Sequence, residues 1–163
     1  MISDKAKSLS SAGHISQSFK AGTEGQQRFY DSCRALNKDI KKTSKADDIG
    51  NHTDFVVDGQ TFDVKGLKKT QKEGKILLEL KNVQGKMGWC NHELKPEWIA
   101  FDFGAFFLCV RNTHLRELVE NKCDWTDEVS KINNALYKGY TRKDRKDLMT
   151  VVTLFDVLNT CEH

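Results

Sequence analysis

Asp54, Asp63 and Lys65 flank the dipeptide Asp58-Gly59 within the run Thr-Asp-Phe-Val-Val-Asp-Gly-Gln-Thr-Phe-Asp-Val-Lys. Asp-Gly between two β-prone stretches predicts a two-residue hairpin turn, because both central residues must accept a positive φ. With the turn at 58 and 59, Val57 faces Gln60 and Asp54 faces Asp63. Alternation then puts Asp54, Val56, Thr61, Asp63 and Lys65 on one face and Phe55, Val57, Phe62 and Val64 on the other. Directly opposed carboxylates, with Cβ atoms about 5 Å apart, repel one another and call for a cation. A hard divalent ion suits them: Mg²⁺ takes one or two carboxylates, keeps waters and accepts phosphate oxygens. Lys65 could then orient a water beside that ion or stabilise charge on a phosphate.

Acid-x-Lys alone carries little information in so charged a chain. It occurs at Asp39, Asp63, Glu73, Glu79, Glu93, Glu120 and Asp144. Asp63-Val-Lys65 stands apart by combining an apolar alternate face, a defined hairpin and a second acid across from it. The competing account is a surface ladder of salt bridges.

The elements around this hairpin follow from punctuation and periodicity. Residues 1–22, rich in Ser, Lys, Gly and Ala, read as a mobile N-terminal arm, and residues 23–163 as one domain. Thr23-Glu24-Gly25-Gln26 fits a capping box opening a helix whose stripe is Phe29, Cys33, Leu36 and Ile40. A third strand is expected over 76–83. Two more, over 98–103 and 106–110, would join at Gly104, with another over 149–154. Helices are expected around Leu115–Val119 and after Thr126, the latter carrying Val129, Ile132 and Leu136. This order favours an α+β or mixed α/β sandwich of about five strands with helices.

Several residues could support the hairpin. Glu79 and Lys81 are expected to share one strand face, extending the same cleft or forming a plain solvated face. Gly85 and Gly88 follow in a loop where backbone could approach a phosphate, while Trp89 is expected to pack under that loop. The net charge of +3 is small but uneven, with basic runs at 38–45, 65–75 and 138–146. Lys68, Lys69, Tyr140, Arg142, Lys143, Arg145 and Lys146 offer donors suited to phosphate contacts.

Other chemistries lack a signature. Five cysteines without a C-x-x-C pair read as reduced thiols, and the histidines show no metal-ligand spacing. Phosphate-cradling, dinucleotide-binding and serine-elbow motifs are missing. With no run of roughly 20 apolar residues and no signal-like N-terminus, the expectation is a cytoplasmic protein without membrane contact.

Thr53-Asp54-Phe55 followed by Phe62-Asp63-Val64-Lys65-Gly66 resembles the signature of the PD-(D/E)XK nuclease superfamily. The run from Glu79 to Trp89, then Ile99-Ala-Phe-Asp102, is similar to small endonuclease-like or resolvase-like proteins of tailed phages. The resemblance spans about residues 23–120, and Asp63 stands where the family more often has Glu. It implies a restriction-endonuclease-like fold, Mg²⁺ or Mn²⁺ held by Asp54 and Asp63, Lys65 as catalytic lysine, and DNA cleavage leaving 5′-phosphates. It also implies that Glu24, on the first helix, adds a carboxylate; the helix dipole alone would equally favour an acid there. A phage-encoded chain would act in the infected bacterial cytoplasm, and a two-strand cut would call for a homodimer. The alternative is a catalytically silent protein on the same fold that binds DNA or a host protein.

Overall fold

The computed structural model describes residues 4–91 and 95–161, with side chains from Lys20 onward. Helix α1 (Asp4–Ala35) leads into β1 (Ile40–Lys42), α2 (Lys45–Asn51), the hairpin of β2 (Phe55–Val57) and β3 (Gln60–Lys65), and the single turn α3 (Lys69–Lys72). Next come β4 (Lys75–Lys81), β5 (Trp98–Asp102), β6 (Phe107–Arg111) and α4 (Asn112–Lys122). The chain ends with β7 (Asp124–Val129), a 3₁₀ turn (Ile132–Asn134), β8 (Lys138–Tyr140), β9 (Leu148–Thr153) and α5 (Leu154–Thr160).

The fold is mixed α/β. One sheet has five strands in the order β1-β2-β3-β5-β6, antiparallel except for the parallel pair β3 and β5. The strand expected over 76–83 forms as β4 but joins a second sheet, ordered β4-β9-β8-β7. Both edges of β3 are already taken, by β2 and β5, so β4 pairs with β9 instead.

Strand alternation sorts the five-stranded sheet into two buried faces. Phe55, Val57, Val64 and Ala100 meet Phe29 and Cys33 of α1. There the Phe29 ring lies 5.9 Å from Phe55, 5.5 Å from Phe62 and 5.3 Å from Phe107, centroid to centroid. On the other face Ile99, Phe101 and Val110 pack with Ile76 and Leu78 of β4, Val152 of β9, Leu115 and Leu118 of α4, and Val157 of α5. Helix, sheet and second sheet with its helices thus form three layers.

Three local expectations are corrected. The helix does not start at the Thr23 capping box; α1 runs unbroken from Asp4, through a segment with no proline to interrupt it. It stops at Ala35, and Asn37 turns the chain with a φ of 56°. Leu36 is therefore 71% exposed, and Ile40 enters the core from β1 instead of from the helix. The helix expected after Thr126 is replaced by β7 and the 3₁₀ turn. Thr126 donates its N–H (2.9 Å) and its hydroxyl (2.6 Å) to Asp124 Oδ1. That local closure competes with a helix start, and parallel pairing with β8 holds the segment extended.

Gly66 fixes how α1 crosses the end of β3. A Cβ there would stand 2.8 Å from the Ala21 carbonyl oxygen and 3.0 Å from the Gly22 nitrogen, both backbone atoms. Gly66→Ala should therefore destabilise the protein by about 1–3 kcal/mol, as overpacking does, lowering the denaturant midpoint. An unchanged midpoint would mean that α1 does not seat against this position.

Candidate functional site

The turn forms as the Asp-Gly pair predicts, with φ of 48° at Asp58 and 83° at Gly59. The ladder Val57↔Gln60, Val56↔Thr61 and Phe55↔Phe62 ends one residue short of Asp54. β2 stops at Phe55, which leaves the Val64 N–H without a strand partner on that side. Asp54 takes it: Oδ2 accepts from Val64 N at 2.8 Å, while the Asp54 N–H donates to the Phe62 carbonyl at 2.8 Å. The Thr43 N–H and hydroxyl both reach the Asp54 carbonyl at 3.0 Å. Asp54 is thereby fixed in backbone and side chain.

Asp63 and Lys65 stand beside Ile99 and Phe101 in the parallel register, on the face turned toward the second sheet. Lys65 Nζ lies 2.8 Å from Asp63 Oδ2 and 4.7 Å from the centre of the Trp89 ring. Lys65 is thus the cation that directly compensates the buried Asp63 carboxylate. Both aspartates are buried. Burial, then the neighbouring Asp63 charge, push the Asp54 carboxyl up to about 7 against the opposing pull of the Val64 N–H and Lys65.

The second sheet adds charges from its own side. Burial raises the Glu79 carboxyl, opposed first by Lys65, then by His52 and Lys68. Lys68 is exposed as a residue, yet its ammonium lies deep enough for burial, then the Lys65 charge, to lower its pKa. Glu79, Asp63 and Arg142 also act on it. Charges on strand β3, the turn into α3, strand β4 and the β8–β9 loop therefore act on one another across the space between the sheets.

Other expected residues fall differently. Glu24 points to solvent, 3.8 Å from Lys20, whereas Gln26, half-buried on the same helix, donates Nε2 to Asp54 Oδ1 at 3.0 Å. Gln26 was legible in principle, since it precedes Phe29 by three residues and Cys33 by seven on the buried stripe. A bulge between Glu79 and Lys81 breaks the strand alternation, leaving Lys81 exposed and bridged to Met87. Gly88 answers to internal packing, because a Cβ would stand 2.5 Å from the Glu79 carbonyl oxygen. Trp89 packs in the core beneath its loop. His52 closes α2 at a φ of 51° and sets Nε2 3.2 Å from the Met87 carbonyl.

In the basic segment, Lys143, Arg145 and Lys146 are exposed, Tyr140 pairs with Met149, and Lys69 lies 3.8 Å from Glu73. Arg142 instead bonds the fully buried Asp147.

These residues fit a hard divalent cation. Each Asp54 oxygen accepts only one of the hydrogen bonds its lone pairs allow, and Lys65 engages one of the two Asp63 oxygens. Among the described residues no three His, Cys, Asp or Glu groups converge as a metal-binding set. A cation would thus use two carboxylates and complete its shell with water or phosphate oxygens. Among the described residues, no helix is long and apolar enough to cross a membrane. In comparisons with known proteins, no family model, no curated protein and no solved structure matches the chain.

The Asp54 carboxyl gives a signed pH dependence. Between its ordinary value of 3.8 and about 7, the folded state holds a proton that the unfolded chain has released. Stability should fall as pH rises through that window, by about 1.4 kcal/mol per pH unit at most, and level off above it. Melts in chelator across pH 4 to 8 would show the fall, and Asp54→Asn should flatten it. A slope unaltered by that substitution would assign the titration elsewhere.

Proposed function

We propose that the chain is a metal-dependent DNA endonuclease that hydrolyses phosphodiester bonds, on a restriction-endonuclease-like arrangement of the five-stranded mixed sheet. One observation carries the reading: Asp54 and Asp63 lie buried close enough to repel, with a single ammonium, Lys65, paired to Asp63. Two buried carboxylates beside one ammonium leave negative charge that a further cation would compensate.

Asp54 and Asp63 would hold Mg²⁺ or Mn²⁺, and Glu79 lines the same cleft. When bound, the ion polarises a phosphate oxygen and makes a nearby water more acidic. Lys65, braced by Asp63 and the Trp89 ring, presents a localised positive charge to the phosphate as negative charge builds on its oxygens. Attack by water forms a new P–O bond and breaks the one to the 3′ oxygen, leaving a 5′-phosphate. Lys68, with exposed Lys143, Arg145 and Lys146, supplies cations for the DNA backbone, which positions the duplex without reading its sequence.

The direct test is incubation of the protein with branched, duplex and single-stranded DNA, with and without Mg²⁺ or Mn²⁺. Cleavage of at least one substrate should require the ion. Asp63→Asn should abolish both cleavage and the Mn²⁺-induced rise in melting temperature, while the metal-free protein stays at least as stable because like-charge repulsion is relieved. Lys65→Ala should lower cleavage steeply yet keep most of the metal-induced rise. Metal-independent binding without cleavage of any substrate would favour a silent scaffold that binds DNA or a host protein.

The basic segment is testable separately. Neutralising Lys143 and Arg145 together should weaken DNA binding across sequences and reduce the slope of log affinity against log salt by roughly 2 if each contacts a phosphate. Arg142 stays, because it compensates the buried Asp147 carboxylate. An unchanged salt slope would move the DNA path to another surface.

A further inference from the structure

Helix α1 meets the paired carboxylates through one side chain. Gln26 Nε2 donates to Asp54 Oδ1 at 3.0 Å, and Asp54 Oδ2 is already held by the Val64 N–H. The carboxylate is thus pinned at both oxygens, once from the sheet and once from the helix. Gly25, beside Gln26, lets the helix approach this closely: a Cβ there would lie 3.3 Å from Gly66 Cα and 3.2 Å from Asp102 Oδ2. Arg28, two residues on, pairs with the fully buried Asp102 and anchors the same turn. Helix backbone, anchor and amide leave Gln26 little freedom to point elsewhere.

An amide at this position does two things that a carboxylate or an apolar group would not. Its N–H favours the charged form of Asp54, the form able to hold a cation. Being neutral, it adds no third negative charge to two that already repel. A Glu would fit nearly the same volume while converting the pair into a three-carboxylate cluster.

We propose that Gln26 is a positioning residue for Asp54, which orients its carboxylate for one divalent cation and, by its neutrality, limits the site to that single ion. The proposal rests on the cation reading of the site. A hydrogen-bond partner of this kind typically controls metal affinity by roughly 10- to 100-fold.

The test uses full-length protein, wild type beside Gln26→Met and Gln26→Glu. Met keeps length and helix propensity but removes the donor, so Gln26→Met is expected to fold. Metal-free melts and calorimetric titration with Mn²⁺ are read on the same samples. In Gln26→Met, Mn²⁺ affinity should drop by roughly 10- to 100-fold with the stoichiometry unchanged at one. In Gln26→Glu, Mn²⁺ should bind more tightly or at two ions per chain. Mn²⁺ affinity and stoichiometry unmoved in both variants would overturn the proposal while the cation reading stands. Absence of Mn²⁺ binding by the wild type would overturn the cation reading and the proposal with it. A purely structural glutamine would lower the metal-free melting temperature in the variants with Mn²⁺ affinity unchanged, and that pattern too would overturn the proposal.

Discussion

A backbone N–H left over at the end of a short strand determines much of what surrounds the cleft. β2 is three residues long, so the Val64 N–H of β3 outruns its ladder and needs another acceptor. The acceptor is a side-chain carboxylate, which brings a second acid to a buried position within reach of the Asp63 charge. Everything near Asp54 compensates for that placement: the Val64 donor, the Gln26 amide, the Thr43 donors on its carbonyl and the Lys65 ammonium at Asp63. Compensation is incomplete, because the Asp54 carboxyl still sits at about 7. The residual repulsion is what a bound cation would relieve.

Sheet alternation makes this arrangement available without disturbing the core. On β3, Phe62 and Val64 join the aromatic cluster under α1, while Asp63 and Lys65 turn toward the second sheet. The two layers then have separate roles at one strand. The Phe29 cluster secures helix to sheet, and Trp89 with Phe101, 6.2 Å apart and near edge-to-face, forms an apolar wall beside Lys65. Trp89 in turn is placed by a loop whose Gly88 closes onto the Glu79 backbone, so the same contact positions one wall and one acid of the cleft.

What the sequence disclosed and what it withheld divide along the range of the interactions. Turn type and the faces of β2 and β3 are set by a dozen consecutive residues, and the Asp-Gly pair with its flanking alternation was sufficient to read them. The hairpin of β5 and β6 about Gly104 was legible for the same reason. The partner of β4 was not, because its pairing with β9 spans some 70 residues and depends on β3 having no free edge. The β7 segment misled because Val129, Ile132 and Leu136 recur at helical spacing, yet Ile132 and Leu136 are exposed and Ala135 is the residue that packs. At the cleft, Glu24 drew attention as the charged group on α1, while the neighbouring neutral amide is the one that turns inward. Residue chemistry alone favoured the acid; helical phase, read from Phe29 and Cys33, favours Gln26.

The charges of the cleft also explain why its cations divide into fixed and free. Lys65 is engaged by Asp63 and an aromatic face, and Arg142 by the buried Asp147. These two act as permanent local fields with little rotational freedom. Lys68 is different: burial and the Lys65 and Arg142 charges lower its pKa, while Glu79 and Asp63 oppose that shift. An anion beside it would favour its charged form, because one negative charge offsets the Lys65 and Arg142 repulsions at once.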